Sequence, residues 1–228
     1  VTVDASGVSN WGWVASAMVN LTDNLHIGAT YRSEIILEAE DGDADFSNIP
    51  NSPLTPFADT TFDASLPMPA EMTVGMSYDF CESWTFAFDY NRTFWDVYNS
   101  LDIDFANEAI PDSKNARNYK NSSIYRFGMQ YDATKMFTLR AGYYFDESPV
   151  REGYFAPETP RNDSNNFTAG LTVNLGEHLQ IDASFLYSHF KEVDASYNYY
   201  FENGVAVPFK GTYKTNAFVP GLGLTYKL

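Results

Sequence analysis

From Leu25 onward, apolar and polar positions alternate with period two. Odd positions read Leu25, Ile27, Ala29, Tyr31, Ser33, Ile35, Leu37 and Ala39, while even positions read His26, Gly28, Thr30, Arg32, Glu34, Ile36, Glu38 and Glu40. A helix would place Leu25 and Arg32 on one side, whereas a strand sends successive side chains to opposite faces. The same alternation marks residues 11–21, 66–80, 84–91, 125–131, 137–145, 167–175, 179–188 and 222–228. In each segment one face carries Leu, Val, Ile, Met, Phe or Tyr. The other carries mainly Gly, Ser, Thr and charged residues. The pattern predicts nine antiparallel strands, from Trp11 to the C-terminus.

The connections between these segments alternate in length. Short turns fall at Thr22-Asp23-Asn24, Cys81-Glu82-Ser83, Ala133-Thr134-Lys135 and Gly176-Glu177-His178, and long polar loops near 41–60, 107–121, 150–164 and 198–210. Turns kept short on one side and loops long on the other are the arrangement of an outer-membrane barrel, with periplasmic turns and external loops. A soluble sandwich has no reason to sort its loops by length, and its strands recur at closer spacing. The fold class expected is all-β, an antiparallel transmembrane β-barrel. Counting back from a periplasmic C-terminus, the first of nine strands starts outside, and an odd set leaves two edges unmatched. The residues from Val1 onward do not read as a signal peptide. The expectation is that residues 1–228 form the C-terminal portion of a single, longer barrel domain.

Composition sharpens this picture. The 228 residues include 16 Tyr, 18 Phe and 4 Trp, so 17% are aromatic, too many for a disordered chain. Mean hydropathy is nevertheless −0.31. A barrel wall reconciles the two, because alternate residues face lipid while aromatics collect at the interfaces. No apolar run is long enough for a membrane-spanning helix. One cysteine, Cys81, rules out a disulfide framework and has no assigned role. A net charge of −16 argues against nucleic acid as a partner.

Several segments carry a more specific signal. Asn10-Trp11-Gly12-Trp13, followed by Leu25-His26-Ile27-Gly28-Ala29-Thr30-Tyr31-Arg32-Ser33-Glu34, resembles a strand pair of the FadL family of long-chain fatty acid transporters. Pro69-Ala70-Glu71-Met72-Thr73-Val74-Gly75 resembles that family's Pro-Glu-Met strand start, with one extra residue. Phe145-Asp146-Glu147-Ser148-Pro149-Val150 is similar to its Asp-Asp-Ser-Pro-Val segment, and Gly221-Leu222-Gly223-Leu224-Thr225-Tyr226 to its closing strand. The resemblance runs along essentially the whole chain, although Leu228 stands where outer-membrane barrels commonly end in an aromatic residue. It implies a 14-stranded barrel plugged by an N-terminal hatch, with the hatch and first five strands absent from this chain. It also implies passive transport of long-chain fatty acids or other hydrophobic compounds captured among the external loops. A structural or adhesive barrel and a general porin are the competing functions.

Candidate site residues follow from the polar faces and the loops. Arg32, Glu34 and Arg140 lie on polar faces, as does Asp182. The ordinary role of such residues is a lumenal ladder of paired charges. The sharper one is a guanidinium fork meeting a fatty acid carboxylate. Tyr154, Phe155, Tyr199, Tyr200 and Phe201 are expected at an outer entrance, where burial favours apolar cargo by about 0.8 kcal/mol per CH₂. Asp41-Gly42-Asp43-Ala44-Asp45 has carboxylates at alternate positions but lacks the Gly and Glu that a calcium loop needs. It reads as a solvated acidic loop, with weak divalent bridging to lipopolysaccharide phosphates as the lesser reading. Expected partners are a fatty acid or hydrocarbon, outer-membrane lipid and lipopolysaccharide, and the N-terminal part of the barrel. No cofactor or metal is expected. Catalysis is disfavoured: Ser188 and His189 point to opposite faces of a strand, and no Gly-x-Ser-x-Gly or metal-ligand spacing occurs. Three Asn-x-Thr matches, at Asn20, Asn91 and Asn166, are chance in or beside strands.

Overall fold

The computed structural model describes residues 1–47, 57–156, 161–176, 178–202 and 205–227; the side chains of 197–202 and 206 lie outside the description. Among the described residues the strands are β1 (Thr2–Asp4), β2 (Val14–Asn20), β3 (Leu25–Arg32), β4 (Ile35–Asp45), β5 (Thr60–Met68), β6 (Glu71–Cys81), β7 (Trp84–Thr93), β8 (Ile103–Phe105), β9 (Ser122–Asp132), β10 (Phe137–Asp146), β11 (Ser164–Leu175), β12 (Leu179–Phe190), β13 (Val193–Glu202), β14 (Val205–Tyr213) and β15 (Asn216–Tyr226). Nine of them form one sheet in the order β15-β12-β11-β10-β9-β7-β6-β3-β2. Each of the nine alternating segments supplies one of them, although Leu66 and Met68 of the segment 66–80 belong to β5 and only Glu71 onward joins the wall; every pair is antiparallel. This wall is an open sheet whose edges are β2 and β15.

The short turns are built from local chemistry. The Thr22 hydroxyl accepts from Leu25 N–H at 3.0 Å, and that of Thr134 from Met136 and Phe137 N–H, each at 3.1 Å. A side-chain oxygen thus replaces a missing ladder partner and reverses the chain in a few residues. Gly176 supplies φ +74° in the β11–β12 turn, a conformation disfavoured for residues with a Cβ.

At the opposite end, the rim, the structure departs from the expected pattern. The segment 25–40 is interrupted at Ser33-Glu34, after which β4 leaves the wall for a second sheet, β1-β4-β5-β8. Gly12 permits this departure: a Cβ there would lie 2.5 Å from Ile35 Cδ1, so the Ile35 side chain fills space that any other residue would occupy. The expected loop 41–60 is therefore partly strand. Asp41, at φ +53°, sits at the β4 irregularity between Ala39 and Gly42, and its N–H donates to Asp63 Oδ1 at 2.9 Å. Asp41, Asp43 and Asp45 are exposed while Gly42 and Ala44 are buried, so the acidic segment is solvated as expected but is a strand rather than a loop. Likewise, the expected loop 198–210 falls largely within a hairpin, β13–β14, paired from Val193↔Tyr213 to Glu202↔Val205. Both hairpins escaped detection because their alternation is broken, by Asp41-Gly42 in one case and a register shift at Asn198/Tyr200 in the other. The expected polar loop 107–121 forms no strand, yet it buries Ile110, Arg117 and Tyr119.

The two wall faces differ as the alternation requires. One presents Phe127 (54% exposed), Phe167 (51%), Leu139 (46%) and Phe86 (44%) with no protein over them. In water so continuous an apolar face would be a liability; in a bilayer it is the solvated state. Aromatic pairs bound this face at both ends. Trp84 stacks on Tyr131 at 4.4 Å near the short turns, and near the rim Tyr90 meets Tyr125 at 5.3 Å. The rim phenols also find polar partners: Tyr143 donates to Asn165 Oδ1 (2.7 Å) and Tyr187 to Asn216 Oδ1 (3.2 Å). An apolar ring with a hydrogen-bonded tip suits a membrane–water boundary.

Candidate functional site

The other face of the wall is polar, and its charges are organised in ladders. Near the short turns, Arg140 on β10 donates through Nε to Gln130 on β9 (2.8 Å) and through Nη1 to Thr172 on β11 (2.6 Å). Gln130 in turn donates to Asp132 (3.1 Å), and Thr172 to Asp182 on β12. One guanidinium thus joins three strands directly, the network reaches β12 through Thr172, and it ends on two carboxylates, Asp132 and Asp182. His26 continues the polar lining on β3, donating through Nδ1 to Asn20 Oδ1 (2.7 Å) and lying 3.6 Å from Asp79. The expected ladder is present, and Arg140 is its centre.

Arg32 and Glu34, both expected on the polar face, are placed differently. Arg32 Nη2 lies 3.4 Å from Glu71 Oε2, its register partner on β6. Glu34 falls in the break between β3 and β4, where strand parity no longer fixes its direction. The polar face was legible from alternation, but a sheet pairs residues across strands, and the partner Glu71 is set by register.

Between the ladders the polar face is thin. Ser77, Ala87, Gly128, Gly142 and Thr168 stand in one cross-strand row, and Gly28 faces Gly75 in the adjacent one. A cavity of about 560 Å³ opens there, with His26, Thr30, Thr73, Gly75, Ala87 and Asp89 among its lining. At Gly142 a Cβ would lie 2.6 Å from Thr168 Oγ1 and 3.1 Å from Phe127 O. Side chains have been removed from the middle of this face, leaving space over a fully hydrogen-bonded wall.

The Asp146-Glu147-Ser148-Pro149 segment organises the rim. Asp146 accepts from Arg161 at 3.0 and 2.9 Å. Glu147 takes Lys120 (3.1 Å) and the Ser123 N–H (3.1 Å). Ser148 N–H donates to Asp163 Oδ1 (2.8 Å), its hydroxyl donates to Arg161 O (2.8 Å), and the Pro149 side chain is fully buried. These bonds tie the ends of β9, β10 and β11 together. The sequence singled this segment out by resemblance, but gave no sign that Lys120, Arg161 and Asp163 are its partners, because these lie 13 to 27 residues away.

The rim aromatics do not act as one group. Phe155 is 6% exposed and packs on Tyr213 at 4.4 Å, so it serves as a small core between the β10–β11 connection and the β13–β14 hairpin. Tyr154 is half-buried, after a turn in which Gly153 adopts φ +84°. Tyr199, Tyr200 and Phe201 lie along β13, with side chains outside the described residues. Outside the membrane wall, a hydrogen bond from Lys114 to Asp104, together with the charges of Asp104, Asp112 and Asp102, raises the Lys114 pKa above its ordinary value. Among the described residues no group of His, Cys, Asp or Glu has the arrangement of a metal site.

Comparison with known proteins agrees with this architecture. The family model described as outer membrane protein transport protein (OMPP1/FadL/TodX) matches residues 2–228. The long-chain fatty acid transport protein of Escherichia coli is 26% identical over 198 residues, covering 80% of this chain and 43% of that protein. A crystal structure of a Pseudomonas aeruginosa FadL homologue superposes with a TM-score of 0.78 at 19% identity, over 94% of this chain and 52% of the other. The Pseudomonas putida toluene transporter TodX gives a TM-score of 0.59 at 21% identity, over 96% and 49%. The chain spans half or less of the length of the curated relatives it matches. Its nine-stranded wall is an outer-membrane β-barrel wall. Nine matched strands, two opposed faces and a family match from Thr2 to Leu228 place this chain in the FadL/TodX family of outer-membrane transport proteins.

Proposed function

We propose that this chain forms the C-terminal nine strands of a 14-stranded barrel that transports long-chain fatty acids or other hydrophobic small molecules passively. The hatch and the first strands would be supplied by the N-terminal part of the same barrel. The observation that carries the reading is the family match along the entire wall and rim. The open β2 and β15 edges favour a longer barrel, since an unpaired edge within a bilayer leaves backbone groups without partners. The thinned polar face leaves room inside the wall for a plug or a passing ligand. On this reading Arg32 and Arg140 are candidates to meet a carboxylate, and Tyr154 with the β13 aromatics Tyr199, Tyr200 and Phe201 would line the approach, with Phe155 holding them in place. Arg140 is engaged with Gln130 and Thr172, so Arg32, half exposed and holding Glu71 only at 3.4 Å, is the better placed of the two.

The test is uptake of labelled oleate and of toluene by cells that lack their own long-chain fatty acid transport protein and express the intact protein. Uptake of either above the empty-vector level is the expected result. Uptake of neither, with ohmic conductance of the purified protein in planar bilayers, would establish a porin instead. Neither uptake nor conductance would leave the structural or adhesive barrel.

A further inference from the structure

At the rim, a cavity of about 570 Å³ lies between the β10–β11 connection and the start of β13. Lys120, Arg151, Arg161 and Lys191 line it, four of the 14 basic residues in a chain where 30 acids outnumber them. Four acids line it too, Glu152, Asp163, Glu192 and Asp194, and all but Glu152 have a hydrogen-bond or ion-pair partner. Asp163 accepts the Ser148 N–H, Asp194 accepts the Thr212 hydroxyl (2.6 Å), and Glu192 holds Lys214 (3.4 Å). Lys120 and Arg161 are taken by Glu147 and Asp146. Among the described residues the cavity therefore presents two cations without an ion pair, Arg151 and Lys191, beside apolar Val150, Phe155 and Val193.

The register gives the direction of one of these cations. Asn165 and His189 pair on the membrane face of β11 and β12, and Lys191 N–H still donates to Asp163 O at 2.8 Å. The ladder thus runs one step past the strands. Residues 163 and 191 continue the membrane-facing series Phe167, Asn165 and Tyr187, His189. Continued by that one backbone bond, the register assigns Lys191 to the lipid side of the wall, next to the polar row of Asn165, His189 and Asn216. At that height in an outer membrane the neighbouring molecules are lipopolysaccharides, whose phosphates are the anions at the boundary. A chain of net charge −16 repels such headgroups in general, so a phosphate needs a local pair of uncommitted cations.

We propose that this cavity is a docking site for a lipopolysaccharide phosphate, held by the Arg151 guanidinium and the Lys191 ammonium. A phosphate offers the geometry an Arg fork matches, and Lys supplies a point charge from the second side. Val150 and Val193 would contact the apolar part of the lipid. Bound there, the lipid joins the β10–β11 connection to the β12 end and fixes the rim against the membrane. The proposal rests on the outer-membrane location and not on the cargo.

The experiment uses the intact protein in a non-ionic detergent with EDTA, so that divalent bridging is absent. Native mass spectrometry titrates it with bisphosphorylated lipid A, with the dephosphorylated lipid, and with laurate. Expected is binding of the phosphorylated lipid that weakens about tenfold in the double variant Arg151→Gln/Lys191→Gln, the size appropriate to two partly exposed charge-assisted contacts. The charge-preserving pair Arg151→Lys/Lys191→Arg should retain binding, showing that charge and not folding is lost. Equal affinity for the two lipid A forms, or no loss in the double glutamine variant, would overturn the proposal. Loss of laurate binding alone would overturn it in favour of a cargo carboxylate. Oleate and toluene uptake by the same variants reports on the transport reading separately.

Discussion

Phe86 and Ala87 are adjacent on β7 and face opposite sides of the wall, so they test which face meets lipid. Both lie at the middle of the span between Trp84 and Tyr90, whose rings mark the two boundaries, within about 3–4 Å of the midpoint at the strand rise. Phe86 is 44% exposed on the apolar face. Ala87 looks across to Gly128, where an added Cβ would sit 4.0 Å from the Ala87 Cβ, so a longer side chain has room. Phe86→Ala measures the loss of ring contacts, including the stack on Trp84 at 6.0 Å. Phe86→Arg adds the cost of a charge near the bilayer midplane, about 2–4 kcal/mol beyond the alanine variant. That is roughly a thirtyfold to several-hundredfold change in the folding equilibrium. Ala87→Arg places the same charge on the polar face and should cost less than about 1 kcal/mol. Equilibrium unfolding of the intact protein in phospholipid vesicles by guanidinium reads all three. If Phe86→Arg matched Phe86→Ala, or if Ala87→Arg were the most damaging, the assignment of faces would be wrong.

Other consequences can be checked in the same system. Arg140→Met removes the bonds to Gln130 and Thr172 and leaves Asp132 and Asp182 without their shared cation. A loss of about 1–2 kcal/mol is expected, partly recovered by adding Asp182→Asn, and a stability equal to the parent would refute the ladder. Gly142→Ala should cost about 1–3 kcal/mol; Thr168→Ala in the same chain should recover only part, because the Phe127 carbonyl at 3.1 Å remains. Lys114, whose pKa is raised, contributes to rim order at neutral pH, where both states are protonated below 10.5. That contribution disappears as pH climbs through the raised value. Nuclear magnetic resonance of the labelled ammonium should show titration above 10.5, returning toward it in Asp104→Asn; no difference between the two would dispose of the contact.

Much of the fold was legible because a membrane barrel wall obeys one rule with period two. Leu25 through Tyr31, Met72 through Phe80 and Phe167 through Leu175 declare their faces without knowledge of any neighbour. The four tight turns were equally plain, since the groups that close them lie within a few residues of one another. The rim was less legible. Asp41-Gly42 and Asn198/Tyr200 break the alternation where the extra hairpins form, and Phe155 reads as an exposed aromatic until Tyr213 covers it.

Sequence alone, then, determined the nine wall strands, the two-faced character of the wall and the positions of its short turns. Each depends on spacings of a few residues. Tertiary structure decided which charges meet: Arg32 with Glu71, Arg140 among Gln130, Thr172 and two carboxylates, and the Asp146–Pro149 segment with Lys120, Arg161 and Asp163. Among the described residues it also leaves Arg151 and Lys191 without an ion pair. Alternation assigns a residue to a face, but only strand register, set by hydrogen bonds between distant segments, says which residue stands opposite it.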